Sequence, residues 1–409
     1  MRKLLFSMLI TFLCILLIGC GIKNNNSNLK VPDIVEFNED DFYKLVQPNN
    51  TLGFQLLFTA PKDNEGNLFI SPTSLLMALA MVYNGADGKT KEEMSTILGL
   101  HSDQLNKANA SLINRLIQNS DNVELAIANS IWLNENYHFQ DNFRNNVQDY
   151  FNAEINEINV SDNESVKEIN NWVKKATIEN INEIIKAPLD PNLVSLLLNA
   201  IYFKGNWKYE FDTNRTIEDT FYGQTKTASF MRLEESLSYL ENDLFQAVTL
   251  PYGDGTLSMK VFLPKENRSL KELENELTNE NWQKWNSQFT KKEGTLLLPK
   301  FKLQYEIELN DSLKALGMPS AFGSDADFSN MIQENDPLWI SKVKQKTYID
   351  VNEKGTEAAA VTSIEMVTES AVISDSFYMN VNRPFIFSIV DDETGLILFL
   401  GSISSPKDY

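Results

Sequence analysis

The stretch from Glu353 to Asn382 constrains this chain more than any other. It contains no proline and, after Gly355, no glycine. It is far longer than the usual connection of about four to six residues, yet too apolar to read as a disordered linker. Its residues alternate. Thr356, Ala358, Ala360, Thr362, Ile364, Met366 and Thr368 fall on one side of an extended chain, all of them uncharged and the first four small. Glu357, Ala359, Val361, Ser363, Glu365, Val367 and Glu369 fall on the other, which carries all three glutamates. That period of two residues belongs to a half-buried strand. Small side chains at the start of the inward face would let such a strand slide between existing ones at little steric cost. Periodicity leaves two readings open: a plain amphipathic strand, and a loop able to become one.

The rest of the chain supplies a body large enough to receive it. Of the 409 residues, 43% are hydrophobic, and no linker-like composition interrupts residues 36–409, which read as one domain. Helical patterns dominate the first half. Ser71-Pro72 combines an N-cap serine with a proline in the first turn. Leu75 to Tyr83 follows, apolar nearly all round, which predicts a buried helix. Val166 to Ile185 alternates charged and apolar residues at helical spacing and predicts a surface helix. Strand signals come later. Val194 to Phe203 is a nearly continuous apolar run. Phe245 to Pro251 and Leu257 to Pro264 flank the turn Tyr252-Gly253-Asp254-Gly255. Phe385 to Val390 and Leu396 to Leu400 read as a buried hairpin. Lys342, Lys344 and Lys346 read as a strand with a solvated face. Helices first and strands later, without regular alternation, predict an α+β fold.

Charge and composition narrow the function. A formal net charge of −20 repels phosphate backbones, so no nucleic-acid partner is expected. The only histidines are His101 and His138. Neither lies beside a nucleophile turn or in a metal-binding spacing, and Gly253-x-Gly255 lacks the third glycine of a cofactor loop. No enzyme activity, cofactor or metal is expected. The amino terminus reads as an export signal: Arg2 and Lys3, then an apolar run from Leu4 to Ile18, too short for a comfortable membrane span. Leu17-Ile18-Gly19-Cys20 resembles the lipobox of bacterial lipoproteins, with an ordinary signal peptide as the alternative. The resemblance implies removal of residues 1–19, lipidation of Cys20 and a polar tether over 20–35. The only other cysteine, Cys14, would leave with the signal.

Six segments, taken together and in order, resemble the serpin family. Asp350-Val351-Asn352-Glu353-Lys354-Gly355-Thr356-Glu357-Ala358-Ala359-Ala360 resembles the serpin hinge. Asn67-Leu68-Phe69-Ile70-Ser71-Pro72 with Ser74 resembles the start of the family's buried central helix. Leu198-Asn199-Ala200-Ile201-Tyr202-Phe203-Lys204-Gly205-Asn206-Trp207 resembles its central strand. Leu298-Pro299-Lys300-Phe301, Asp327-Phe328-Ser329 and Asn382-Arg383-Pro384-Phe385 follow in the expected order.

The resemblance implies a multi-helix bundle packed on three β-sheets, with an exposed reactive-centre loop at about residues 354–380. It implies inhibition of serine-class, and in some cases cysteine-class, proteases. The target attacks the loop and forms an acyl-enzyme, and the cut loop then inserts into the main sheet. By the same resemblance, Glu353, Gly355, Thr356, Ala358, Ala359 and Ala360 form the hinge. Lys300 pairs with Glu353 beside Trp207 at the top of the opening sheet. Ser71, Ser74 and Asn199 form a hydrogen-bonded shutter, in which Gln345 stands where relatives usually carry histidine. Family spacing places the scissile bond at Glu369-Ser370, with bonds after Met366, Val367, Thr368 or Ala371 as alternatives. A monomer at the bacterial cell surface is expected, and the rival reading is a non-inhibitory serpin serving as a surface binding protein.

Overall fold

The computed structural model describes residues 35–118, 123–222, 226–356 and 376–407. Nine α-helices occur among them: α1 (Tyr43–Thr59), α2 (Pro72–Tyr83), α3 (Gly88–Leu98), α4 (Ser102–Gln118), α5 (Asp141–Phe151), α6 (Asn163–Ala176), α7 (Leu270–Asn275), α8 (Asn279–Gln288) and α9 (Asn310–Leu316). The strands are β1 (Leu68–Ile70), β2 (Val123–Asn134), β3 (Glu154–Ile158), β4 (Ser195–Asn206), β5 (Ile217–Phe221), β6 (Lys226–Glu241), β7 (Phe245–Pro251) and β8 (Leu257–Pro264). They continue with β9 (Thr290–Pro299), β10 (Phe301–Glu308), β11 (Lys342–Asn352), β12 (Gly355–Thr356), β13 (Phe377–Asn380), β14 (Phe385–Asp391) and β15 (Ile397–Ile403).

The strands form an α+β fold with two hydrogen-bonded sheets. One runs β10-β11-β12-β4-β2-β3, the other β1-β15-β14-β8-β7-β6-β9-β13 with β5 on β6. The expected third sheet is present as the β5, β6, β9 and β13 end of the second. It is continuous because β6 is long enough to pair with β5 at one end and β7 at the other.

The six-stranded sheet positions the site. Its two faces are both buried, which is why Val194 to Phe203 reads as a nearly continuous apolar run rather than an alternation. Leu197, Ile201 and Phe203 of β4 join Val343, Ile349 and Val351 of β11 in the core that holds α2. Leu196, Leu198 and Ala200 face the opposite way, against Val166, Ile169 and Val173 of α6. Helix α2 starts as its sequence predicts: Ser71 Oγ accepts from Ser74 N at 3.2 Å and Pro72 opens the first turn. It is buried along its whole length.

Two expectations need correction. The surface helix expected over Val166 to Ile185 ends at Ala176, because Ile178 and Glu179 adopt positive φ (52° and 63°), which a right-handed helix cannot continue through. Ile181, Ile184 and Ile185 keep their apolar spacing but bury as an irregular strap on the sheet. The face of Lys344 and Lys346 is not solvated either. Their ammonium groups donate to the carbonyls of Ile184 (2.8 Å) and Glu183 (2.6 Å) in that strap, and both pair with Glu306. Lysine stems cover apolar surface readily, and a local pattern does not show what lies above it.

Candidate functional site

The geometry turns on a seam in the six-stranded sheet. Along Lys342 to Tyr348, β11 pairs in parallel with β4, from Lys342 opposite Leu196 to Tyr348 opposite Tyr202. Above Tyr348 the two strands part and β12 lies between them. Thr356 faces Val351 on one side and Gly205 on the other, and Gly355 faces Asn352 and Asn206, all antiparallel. The top of the seam therefore already holds the first two residues of an extra strand.

Gly355 is glycine because its neighbours leave no room. A Cβ there would lie 2.2 Å from the Gly205 carbonyl oxygen and 2.8 Å from Asn206 Cα. Thr356 is fully buried, and its hydroxyl shares a 2.6 Å hydrogen bond with Tyr252 OH. Burial pushes the Tyr252 phenol far above its usual range, so it stays neutral. Trp207 stacks on Tyr252 at 4.6 Å between ring centroids and donates through Nε1 to the Asn352 carbonyl at 2.9 Å. Glu353, 8% exposed, lies 3.4 Å from Lys300 Nζ and accepts from the Thr216 hydroxyl at 2.8 Å. The Glu353 and Lys354 carbonyls accept from the amides of Phe211 and Trp207. The structure thus brings together Glu353, Lys300, Gly355, Thr356 and Trp207 as one cluster at the top of the seam, called the breach below. It adds Tyr252 and Thr216, which the sequence reading missed. Tyr252 carried only a turn signal, and Thr216 carried no signal.

Midway down the seam lies the second cluster. Gln345 Nε2 donates to Asn199 Oδ1 (2.6 Å) and to the Ser71 carbonyl (2.9 Å), while Gln345 Oε1 accepts from Ser71 N (3.0 Å). Asn199 Nδ2 donates to Asn129 Oδ1 at 2.5 Å, to the Ser74 carbonyl at 3.1 Å and to Ser74 Oγ. Ser71 Oγ donates to the Leu398 carbonyl at 2.7 Å. All five residues are buried. Gln345, Asn199 and Asn129 sit directly opposite one another on β11, β4 and β2, so a row of amides crosses the seam above the N-terminus of α2. An asparagine inside the apolar run of β2 was the one available hint of Asn129. None of these side chains titrates, so this row, the expected shutter, is held by amides and hydroxyls alone.

Ala358, Ala359, Ala360, Glu369, Ser370 and Cys20 lie outside the described residues. His138 is exposed and bonds Glu334 at 2.7 Å. Among the described residues no cluster of histidine, cysteine and carboxylates could hold a metal ion.

Comparison with known proteins decides the family. The family model for serpin (serine protease inhibitor) matches residues 47–406. The chain is a serpin. Iripin-2 of Ixodes ricinus is 34% identical, over 88% of this chain and 93% of its own. The native state of the thermophilic serpin tengpin superposes with a TM-score of 0.82 at 34% identity, covering 93% of this chain and 97% of that one. Human thyroxine-binding globulin, complexed with thyroxine, is 26% identical with a TM-score of 0.79, covering 90% of this chain and 100% of its own. Members of this family are mostly protease inhibitors rather than enzymes.

Proposed function

We propose that this serpin traps a serine-class protease covalently, by accepting cleavage in the segment after Thr356 and inserting it between β4 and β11. The observation that supports the reading is the register of β12. If the strand continued as Thr356 begins, Ala359 would pass between Tyr202 and Tyr348, and Thr362 between Asn199 and Gln345. Those two pairs already face each other across the seam, so β4 and β11 need only part sideways, without slipping along their length. One parallel ladder would be replaced by two antiparallel ones, which pair slightly better per residue. Each added backbone hydrogen bond contributes about 1 kcal/mol net.

The inward residues Thr356, Ala358 and Ala360 are small, and no proline blocks the ladder. Insertion must break the Gln345–Asn199 bond, and Thr362 brings a hydroxyl to that same row, so the buried amides need not be left unpaired. The strap held by Lys344 and Lys346 must lift as the strand passes beneath it. The intact fold is then a kinetic trap, held shut by these contacts.

The deciding experiment mixes the chain with a panel of serine and cysteine proteases. A protease-sized mass increase that survives denaturation, with a cut mapped after Glu369, is the expected result. Cleavage without any complex, and without a rise in thermal stability, would favour the binding-protein reading that the likeness to thyroxine-binding globulin supports. We also propose export and lipid anchoring through Cys20 at the bacterial cell surface. A Cys20→Ala variant should leave the membrane fraction, and its retention there would refute the anchor.

A further inference from the structure

A second polar site lies behind the breach, on the sheet formed by β6 to β9. Strand register places Lys291, Ser238, Thr249, Lys260 and Ser388 directly opposite one another, one from each of five adjacent strands. Directly opposed residues share a face, so two lysines and three hydroxyls form one row across the sheet, with Ser236, Glu293 and Ser258 on the same face beside it. A groove of about 380 Å³ opens on this row, with Lys208 on its rim, a size suited to a small molecule rather than a chain.

Two features favour an anion there. First, its three lysines, Lys208, Lys260 and Lys291, outnumber its two carboxylates, Asp254 and Asp392, on a chain whose net charge is −20. Second, the carboxylates are occupied. Asp392 takes the Ser258 hydroxyl and Lys260 Nζ (3.4 Å), and Asp254 takes the Thr256 amide (2.9 Å). Lys208 and Lys291 donate only to backbone carbonyls at 3.4 Å. Lys260 is itself buried, braced by Asn286 Oδ1 at 2.6 Å and lying over the Phe289 ring.

We propose that this groove binds a small anion bearing carboxylate or phosphate oxygens between Lys208, Lys260 and Lys291, and that occupancy braces the breach. The link is short. Lys208 follows Trp207 directly, its amide donates to the Pro251 carbonyl at 2.8 Å, and Pro251 precedes the Tyr252 that holds Thr356. A ligand gripping Lys208 from the sheet side therefore steadies the Trp207–Tyr252 stack. Binding does not depend on the inhibitory reading, and it is tested separately.

The test is calorimetric titration of the full chain with citrate and with inorganic phosphate at constant ionic strength, alongside thermal melts. Saturable binding of one molecule of either probe, with a raised Tm, is expected. The exposed pair Lys208→Ala/Lys291→Ala should melt like the parent without ligand and bind about tenfold more weakly. Saturation by neither probe, or equal affinity in the parent and the double variant, would overturn the site. Binding with unchanged hydrogen exchange at the Trp207 and Gly205 amides would overturn the coupling to the breach.

Discussion

The breach and the shutter guard the same seam by different physics. At the breach the sheet is already parted, and the contacts are a 3.4 Å charge pair, a stacked aromatic pair and one hydroxyl pair around Thr356. At the shutter the strands are closed, and a fully buried row of uncharged amides spans them. Charge contacts near the surface weaken with salt. Buried neutral hydrogen bonds do not, but breaking one partner leaves the other unpaired at high cost. The seam is therefore adjustable at its top and stiff in its middle, as the proposed insertion requires.

Four substitutions test that contrast, in order of expected effect. Thr356→Arg forces a charge into a fully buried position, which costs several kcal/mol unless the hinge leaves the sheet. Expulsion should turn an inhibitor into a substrate: gels should show loop cleavage with no covalent complex. An arginine variant that still traps protease would show that insertion does not begin here. At the shutter, Asn199→Ala strips partners from Gln345, Asn129 and Ser74 together. A loss of about 2–4 kcal/mol in denaturant melts is expected, with faster spontaneous conversion to a hyperstable form. A loss under about 1 kcal/mol would mean the amide row is not what holds the sheet closed.

The two smaller tests concern charge. Lys300→Met takes the cation from a carboxylate only 8% exposed and should cost about 1–3 kcal/mol, of which added salt should remove only a part; a difference abolished by salt would mean the pair behaves as a surface bridge. Gln345→His should introduce a pH dependence that the shutter lacks. A buried histidine resists protonation, so its folded pKa falls below the ordinary value of about 6.5. The unfolded chain then binds the proton more readily, and stability should drop as pH falls through that range relative to the parent. Parallel pH profiles for the two proteins would show that position 345 is not sealed from solvent.

Local signals carried much of this site. The N-cap and proline at Ser71-Pro72 and the glycine at 355 each have a backbone reason visible in a few adjacent letters. Resemblance grouped Glu353 with Lys300, and Ser71 with Asn199. What stayed hidden depends on what lies across or above a strand. Asn129 looks like any polar residue in an apolar run until β2 pairs with β4. Tyr252 looks like a turn residue until Trp207 stacks on it. The strap over Lys344 and Lys346 was read as helix, because apolar spacing records which residues are buried and not whether the backbone between them coils.

By itself the sequence determined where helices and strands start, which faces are apolar, and that one long segment is chemically ready to be a strand. Only the tertiary structure decided that Gly355 and Thr356 lie between β4 and β11. Gln345 and Asn199 are 146 residues apart, and Ser71 and Gln345 are 274 apart. Local propensity has no reach over such distances. The parallel pairing of β4 with β11, and hence the seam, follows from burying both faces of one sheet between α2 and α6. That is a property of the whole core, and a window of neighbouring residues does not contain it.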